Sequence, residues 1–176
     1  NLINEIVKLL KENKVLGLFN GRMEFGARAL GNRSIIASPI SSSMKDIINK
    51  KIKKRENFRP FAPAVLEEEK CNWFSSSRPN PYMSNVEYVI EHKRVKIPAV
   101  THFDGTGRVQ SVSKKINGNF YKIIKKFYDS TGVPVLLNTS FNENEPIVLK
   151  PEQALSCFDR TDMDAIILGN SIILRD

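Results

Sequence analysis

The sequence contains little cysteine and no long hydrophobic run, and these two absences exclude several classes of protein. Among its 176 residues only Cys71 and Cys157 are cysteines, and they lie far apart and outside any metal-type spacing. We therefore expect neither a disulfide framework nor a zinc site, and a reducing, cytoplasmic location is predicted. No apolar run approaches the ~20 residues that span a bilayer, so no membrane partner is expected.

Several common motifs of nucleotide binding and catalysis are also missing. The chain contains no GxxxxGK[ST] loop, no GxGxxG after a predicted strand and no HExxH. His92 and His102 stand alone, and each is interpreted first as a surface or internally satisfied histidine rather than a ligand. No spacing supports a Ser-His-Asp or Cys-His nucleophile. We therefore predict no metal site within this chain.

Composition indicates one globular domain with an anionic partner. Hydrophobic residues make up 41% of the chain, which is enough for a core, and the length fits a single domain. The net charge of +8 favours a nucleotide, a phosphorylated substrate, a nucleic acid or an acidic lipid as partner. Because the chain begins with Asn1 rather than Met and no signal peptide opens it, we expect it to be a piece of a longer protein.

Hydrophobic periodicity predicts a mixed sheet with helices, in one layered α/β or α+β domain. Helices are predicted over residues 2–13, 43–53, 119–130 and 151–160, the second of them capped by Ser43. Strands are predicted over residues 15–19, 35–37, 64–66, 83–89, 97–102, 108–112, 133–137, 165–168 and 171–174, the last two joined by a two-residue hairpin turn. Residues 21–34 are predicted to form a structured loop with one helical turn, since three glycines interrupt it.

The arginines form the most informative pattern, because several stand among glycines, prolines and small polar residues. These are Arg22, Arg28 and Arg33 in the glycine-rich loop, Arg59 between Phe58 and Pro60, and Arg108 after Asp-Gly-Thr-Gly. Guanidinium groups grip phosphate oxygens in pairs, and neighbouring glycines allow backbone N–H groups to approach the same oxygens. Taken singly, each arginine is more simply an ordinary surface ion pair. Taken together, they favour an anion-binding site.

Three further features each have a structural and a functional interpretation. Asn138, Thr139 and Ser140 end a predicted strand, where ligand sites of α/β proteins commonly form. The basic run over residues 50–55 is interpreted as a solvated helix face, with nucleic-acid contact as the alternative. For the phenylalanines beside the polar motifs, core packing is favoured over stacking on a base.

Five blocks of this sequence resemble one known family. The blocks are GRMEFGARALGNRSIIASP, MKDIINKKIK followed by FRPFAPAVLEE, IPAVTHFDGTGRVQSV, and TGVPVLLNTSFN with EPIV. In the same order and with similar gaps, they resemble the carbamoyltransferases of the nodulation-protein and antibiotic-biosynthesis type. Those enzymes O-carbamoylate sugars, aminoglycosides and cephem antibiotics. The resemblance runs from about Gly17 to the C-terminus and matches only the C-terminal domain of the family.

The resemblance implies a fold and an activity for residues 1–176. The fold is a YrdC-like twisted open mixed sheet with flanking helices. The activity is the formation of carbamoyl adenylate from carbamoyl phosphate and ATP with its Mg²⁺. The carbamoyl group then passes to an acceptor hydroxyl in an N-terminal domain similar to the threonylcarbamoyl-transferring ATPase of tRNA modification. That domain, with its histidine-bound metal of the Fe or Mn type, is absent from this chain.

The resemblance also implies site residues. Catalytic, phosphate-gripping residues would be Arg28 in FGARALG, Lys53 at the end of NKKIK, Arg59 in FRPF, and Arg108 in DGTGR. Asn138 and Ser140 in NTSFN would complete the cavity that binds ATP and carbamoyl phosphate.

Two alternatives remain at this point. A YrdC-like module that binds RNA or nucleotide without carbamoyl chemistry would show RNA affinity that falls steeply with salt. A degenerate domain that only supports a partner is disfavoured by the intact Arg28, Arg59 and Arg108.

Overall fold

The computed structural model describes residues 1–175, which form a seven-stranded mixed sheet, a separate two-stranded sheet and flanking helices. The helices are α1 (Leu2–Lys11), α2 (Met44–Lys51), α3 (Glu91–Arg94), α4 (Gly118–Thr131) and α5 (Pro151–Arg160). The strands are β1 (Leu16–Phe19), β2 (Arg33–Ala37), β3 (Ala62–Leu66), β4 (Val86–Tyr88), β5 (Thr106–Arg108), β6 (Gln110–Val112), β7 (Val135–Ser140), β8 (Ala165–Leu168) and β9 (Ser171–Leu174). Two 3₁₀ helices cover Glu67–Asn72 and Pro98–Val100. No helix within residues 1–175 has the length and apolarity needed to cross a membrane.

The large sheet has the strand order β6-β3-β7-β2-β1-β8-β9. Neighbours pair antiparallel except β1 with β8 and β3 with β6, which are parallel. The predicted mixed sheet with flanking helices in a single α/β (α+β) domain is therefore confirmed. The register places Asn138 of β7 between Ile36 of β2 and Ala62 of β3, near the middle of the sheet.

The longest helix shows how the sequence pattern produces the fold. On α4 the four predicted apolar residues, Phe120, Ile123, Ile124 and Phe127, are all buried on one face. Gly132 ends the helix in the left-handed region at φ 72°, and its N–H donates to the Tyr128 carbonyl. The predicted helix and its glycine stop are therefore confirmed, because the apolar spacing and the stop signal agree.

Several local predictions were wrong. Residues 97–102 are not a strand, because Pro98, which cannot donate a backbone hydrogen bond, begins a 3₁₀ turn there. The loop after β1 contains no helical turn. Ser43 precedes α2, but its hydroxyl bonds the Ser41 hydroxyl at 2.8 Å instead of capping the helix. Asn138, Thr139 and Ser140 do lie at the end of a strand, as predicted, and they are the last three residues of β7.

One glycine of the loop between β1 and β2 supports the core directly. Gly31 has φ 110°, and a Cβ atom at this position would overlap the ring of Phe120 on α4. Gly26 in the same loop has φ 112°, but a Cβ there would meet nothing within 4 Å. At both glycines the positive φ disfavours any residue with a side chain. The two positions differ in packing, because only a Cβ at Gly31 would meet a neighbour.

This pair gives a matched test of the packing. We expect Gly31→Ala to lower the free energy of unfolding by about 1–3 kcal/mol more than Gly26→Ala, because the added methyl group overpacks the core. Urea unfolding of both variants, followed by circular dichroism, measures the difference. Equal losses in the two variants would contradict the close packing of this loop on α4.

Candidate functional site

A cavity of about 300 Å³ opens where the end of β7 meets the start of β3. Its walls come from the loop between β1 and β2, the segment between α2 and β3, the turn before β5, and β5 itself. Four arginines line it, namely Arg28, Arg55, Arg59 and Arg108, and Arg59 Nε pairs with the Glu56 carboxylate at 2.9 Å. Such a concentration of non-titrating positive charge favours a ligand with several negative charges.

Most of the predicted site residues meet in this cavity. Its lining includes Arg28, Arg59, Arg108, Asn138 and Ser140, which come from four separate segments of the chain. Their roles toward a ligand stay predictions. Lys53 does not line the cavity. Arg22 and Arg33, the other two arginines of the glycine-rich loop, do not line it either.

The loop that carries Arg28 is closed by a carboxylate. One oxygen of Glu24, Oε1, accepts hydrogen bonds from the backbone N–H groups of Leu30 at 2.7 Å and Asn32 at 2.7 Å. It accepts a third from the backbone N–H of Arg33 at 3.2 Å. The Arg28 side chain is exposed at the tip of this loop and forms no ion pair within residues 1–175. Its charge is therefore available to a ligand.

Arg33 serves the loop instead of the cavity. Its guanidinium donates to the backbone carbonyls of Asn20 at 3.0 Å, Asn32 at 3.1 Å and Gly21 at 3.1 Å. The guanidinium also lies over the ring of Phe19, 3.5 Å from its centre. Those contacts tie the two ends of the loop together. The prediction of an anion-binding arginine at this position was wrong, because Arg33 lies outside the cavity lining and both of its terminal nitrogens donate to backbone carbonyls.

A buried amide pair holds the far side of the same loop. Nδ2 of Asn138 donates to the Ala29 carbonyl at 3.0 Å and to Oε1 of Gln110 at 2.9 Å. Nε2 of Gln110 donates in turn to the Leu30 carbonyl at 2.8 Å. The two residues that follow Arg28 are thereby fixed to β7 and β6, so that the position of Arg28 depends on the sheet.

Lys53 lies behind the cavity wall. Its Nζ atom donates to the Ser140 carbonyl, the Asn142 carbonyl and Asn142 Oδ1, each at 2.7 Å, and reaches the Ser140 hydroxyl at 3.3 Å. The side chain is only 2% exposed. Burial, with a further contribution from the charge of Arg55, lowers the pKa of Lys53 to about 7. Where the resemblance implied a phosphate grip, the structure shows a lysine that fixes the end of β7.

Sequence reasoning missed Arg55, the last residue of the basic run over 50–55. Its Nε donates to Asn49 Oδ1 at 2.8 Å, and its guanidinium lies 5.0 Å from the centre of the Phe61 ring. Burial, and then the charge of Arg59, lowers the pKa of Arg55. Its neighbours in sequence are lysines, so charge alone did not separate it from a solvated helix face. The aromatic and proline residues that follow at positions 58–61 were the available signal.

His102 also lines the cavity and was interpreted as an ordinary histidine. Its Nδ1 lies 3.2 Å from the Thr106 hydroxyl, which donates to Asp104 Oδ1 at 2.7 Å. Burial lowers the pKa of His102, while Asp104 raises it by a smaller amount. Burial therefore favours the neutral imidazole, which adds a polar group to the cavity without further positive charge.

Within residues 1–175, no group of three or more histidine, cysteine, aspartate or glutamate side chains could hold a metal ion. The cavity therefore offers arginines, amides and hydroxyls as its binding groups.

Comparison with known families gives a match over nearly the whole chain. The family model described as Carbamoyltransferase C-terminus matches residues 7–175. The nodulation protein NolNO of Sinorhizobium fredii is 48% identical over 170 residues, which cover 94% of this chain and 25% of that protein. The nodulation protein U of Rhizobium tropici is 41% identical over 140 residues, covering 80% of this chain and 24% of that protein. The chain thus spans about a quarter of the length of these relatives.

Solved structures share the fold at low sequence identity. A full-length HypF in its phosphate- and nucleotide-bound form superposes with a TM-score of 0.64 at 18% identity, covering 99% of this chain and 26% of that one. A Sua5 from P. abyssi superposes with a TM-score of 0.56 at 12% identity, covering 98% of this chain and 52% of that one. The expected YrdC-like fold is therefore confirmed.

The buried Lys53 gives a pH-dependent prediction. Between about pH 7 and its ordinary value of 10.5, the unfolded chain holds a proton on Lys53 that the folded chain has lost. The free energy of unfolding should therefore rise with pH across this window in the wild type, relative to Lys53→Met.

Denaturant unfolding at pH 7, 8 and 9 measures this difference. Lys54→Met, which removes an exposed neighbouring lysine, is the control and should keep the slope of the wild type. If the free energy of unfolding rose with pH equally in the wild type and in Lys53→Met, the lowered pKa of Lys53 would be contradicted.

Proposed function

The chain belongs to the carbamoyltransferase C-terminus family, and we propose that this domain converts carbamoyl phosphate and ATP into carbamoyl adenylate. The observation that carries the proposal is the convergence of four guanidinium groups on one cavity. Atom balance requires one water, which cleaves carbamoyl phosphate to carbamate and phosphate. A carbamate oxygen then bonds the α-phosphorus of ATP while the bond to the leaving pyrophosphate breaks.

This reaction needs little covalent participation by the protein. Both substrates are polyanions, so that the protein has to bring like charges together and compensate the charge that develops on pyrophosphate. Arginine suits this task because it stays charged at all working pH values and binds phosphate oxygens in pairs. The Mg²⁺ that accompanies ATP would be held by phosphate oxygens and water.

The geometry supports specific roles for the cavity residues. In the proposal Arg28, Arg59 and Arg108 grip the phosphates, and Ser140 and Asn138 bind from the sheet side. Lys53 acts as a positioning residue, because its Nζ holds the backbone of Ser140. Arg55 adds a fourth positive charge that the resemblance did not include.

Three exposed phenylalanines that adjoin cavity residues in the sequence, here called the apolar rim, support a partner domain. Phe25, Phe58 and Phe103 are 106%, 77% and 110% exposed, and each lies within two residues of a residue that lines the cavity. Exposed phenylalanines near a cationic cavity are typical of a surface that another protein covers. We propose that an N-terminal acceptor domain, holding an Fe or Mn type of metal, docks on this rim and receives the carbamoyl group on an acceptor hydroxyl. The proposal places the reaction in the cytoplasm, where ATP is supplied.

Arg28 provides the first test. In the full-length polypeptide, we expect pyrophosphate release to require both ATP and carbamoyl phosphate. Arg28→Ala should lower the rate at least about 100-fold, because it removes a charge-compensating donor. Arg22→Ala is the matched control, since Arg22 lies in the same loop outside the cavity. Pyrophosphate release that does not depend on carbamoyl phosphate would contradict the proposal. A rate for Arg28→Ala equal to that of the wild type would contradict it as well. Tight RNA binding in its place would favour the nucleic-acid alternative.

The apolar rim provides a second test. Replacing Phe25, Phe58 and Phe103 together by serine should leave pyrophosphate release intact and abolish carbamoyl transfer to the acceptor, because the adenylate then hydrolyses. Pyrophosphate and the carbamoylated acceptor are quantified in the same reaction. Val95→Ser, which changes another exposed apolar residue outside the cavity lining, should leave transfer unchanged. Transfer that survives the triple replacement would show that the rim is not the docking surface.

A further inference from the structure

A buried lysine outside the cavity lining holds three oxygen atoms at once. Lys70, in the 3₁₀ helix Glu67–Asn72, is 1% exposed. Its Nζ atom donates to the Ser76 carbonyl at 2.7 Å, the Arg78 carbonyl at 2.8 Å and Glu87 Oε2 at 2.7 Å. An ammonium group has three N–H donors, so that all of them are used here.

Stability alone does not explain a buried ion pair at this place. The transfer of two charges from water into the interior is unfavourable, and such a pair is often no more stable than two well-packed apolar side chains. Apolar side chains, however, have no donor with which to hold oxygen atoms of different segments in one geometry. The specific contribution of Lys70 is therefore the relative position of the segments that it joins.

One of these segments is β4, which pairs with β5. Glu87 lies on β4 directly opposite Gly107 of β5. The two strands form a sheet of their own, and a sheet of two strands is marginal without further support. Strand β5 also packs closely on β3, since a Cβ atom at Gly107 would lie 3.1 Å from Pro63 Cγ. The bond from Lys70 to Glu87 thus fixes the strand on which β5 is paired.

The second segment is the loop over residues 76–80, which is bonded to β6. The backbone N–H of Asn80 donates to Ser111 Oγ at 2.7 Å, and the backbone N–H of Ser111 donates to the Asn80 carbonyl at 3.0 Å. Ser111 belongs to β6, and Lys70 holds two carbonyls earlier in the same loop. Lys70 therefore fixes a neighbour of β5 and a neighbour of β6.

Arg108 is the cavity residue that stands between these two strands in the sequence. It ends β5, and Val109 alone separates it from the start of β6. In the register of the small sheet it lies opposite Val86 of β4. Within residues 1–175 its guanidinium forms no ion pair, so that no carboxylate orients it. The position of Arg108 consequently depends on the strands that carry it.

We propose that Lys70 is a positioning residue that, through Glu87 and the loop over residues 76–80, sets where Arg108 meets its phosphate ligand. The inference rests on the proposed function, in which Arg108 grips a phosphate group. Misplacement of a binding group by about 1 Å can lower a rate about 100-fold. Loss of Lys70 should therefore act on the reaction through Arg108, although Lys70 lies outside the cavity lining.

The test replaces the ion pair by apolar side chains, as Lys70→Met with Glu87→Leu, in the full-length polypeptide. Thermal unfolding establishes that this double variant is folded. We expect its kcat/KM for pyrophosphate release from ATP and carbamoyl phosphate to fall at least about tenfold. In a protein that already carries Arg108→Ala, the same double replacement should lower kcat/KM by less than about threefold, because the guanidinium that it displaces is absent.

This comparison distinguishes positioning from a general loss of structure. A general loss lowers the amount of folded enzyme, and its effect would multiply with that of Arg108→Ala. Lys14→Met with Asp164→Leu is the matched control, because it removes another ion pair, of 3.0 Å, outside the cavity lining. Asp164 also accepts from the backbone N–H of Val15 at 2.8 Å. The control should keep kcat/KM within about threefold of the wild type. A tenfold fall in the control would overturn the inference.

The outcomes separate this inference from the proposed function. A wild type that releases no pyrophosphate with carbamoyl phosphate, or full activity in Arg108→Ala, would overturn both. If Arg108→Ala is impaired, an unchanged rate in the double variant would overturn the role of Lys70 alone. Losses that multiply with the loss in Arg108→Ala would overturn that role as well.

Glu87→Gln decides the question should the double variant not fold. Its amide oxygen can still accept from Lys70, but the bond is weaker than the one to a carboxylate. We expect kcat/KM to fall at least about threefold in this variant and to show no further fall when Glu87→Gln is added to Arg108→Ala. No loss in Glu87→Gln, or a loss that persists beside Arg108→Ala, would refute the inference.

Discussion

Repulsion between like charges is the constraint on which this structure depends. Four guanidinium groups share one cavity of about 300 Å³. Two like charges ~6 Å apart at an effective dielectric constant of about 20 repel by about 3 kcal/mol, so that flexible loops would move them apart. The backbone segments that carry the arginines are fixed to one another and to the sheet, and the Glu56 carboxylate, 2.9 Å from Arg59 Nε, offsets part of the repulsion.

The fixing contacts are made by polar side chains on backbone groups. Glu24 binds three backbone N–H groups of the loop that carries Arg28, and Arg33 binds three carbonyls of the same loop. Asn138 and Gln110 join that loop to the sheet, and Lys53 fixes the end of β7. Buried polar groups serve here to hold a geometry, and the exposed charge of Arg28 is left for the ligand.

The sequence was sufficient for most of the helices and strands, and five of the six site residues that the resemblance implied line the cavity. Apolar spacing with a glycine stop predicted α4, and the two-residue turn predicted the hairpin of β8 and β9. Lys53, Arg33 and Arg55 show where sequence reasoning stops. A charged side chain near a glycine or a lysine gives the same sequence pattern whether it faces a cavity or a backbone carbonyl. Only the folded chain shows that Lys53 and Arg33 bind carbonyl oxygens while Arg55 faces the cavity.

The central claim is that these arginines surround a triphosphate and its small acyl donor. The most direct measurement is a crystal structure of the full-length polypeptide soaked with a non-hydrolysable ATP analogue and Mg²⁺. The account predicts phosphate oxygens within hydrogen-bond distance of Arg28, Arg59 and Arg108, in the cavity at the end of β7. A nucleotide bound elsewhere, for example in the lysine-lined groove between α1 and α4, with the arginine cavity free of phosphate, would contradict it.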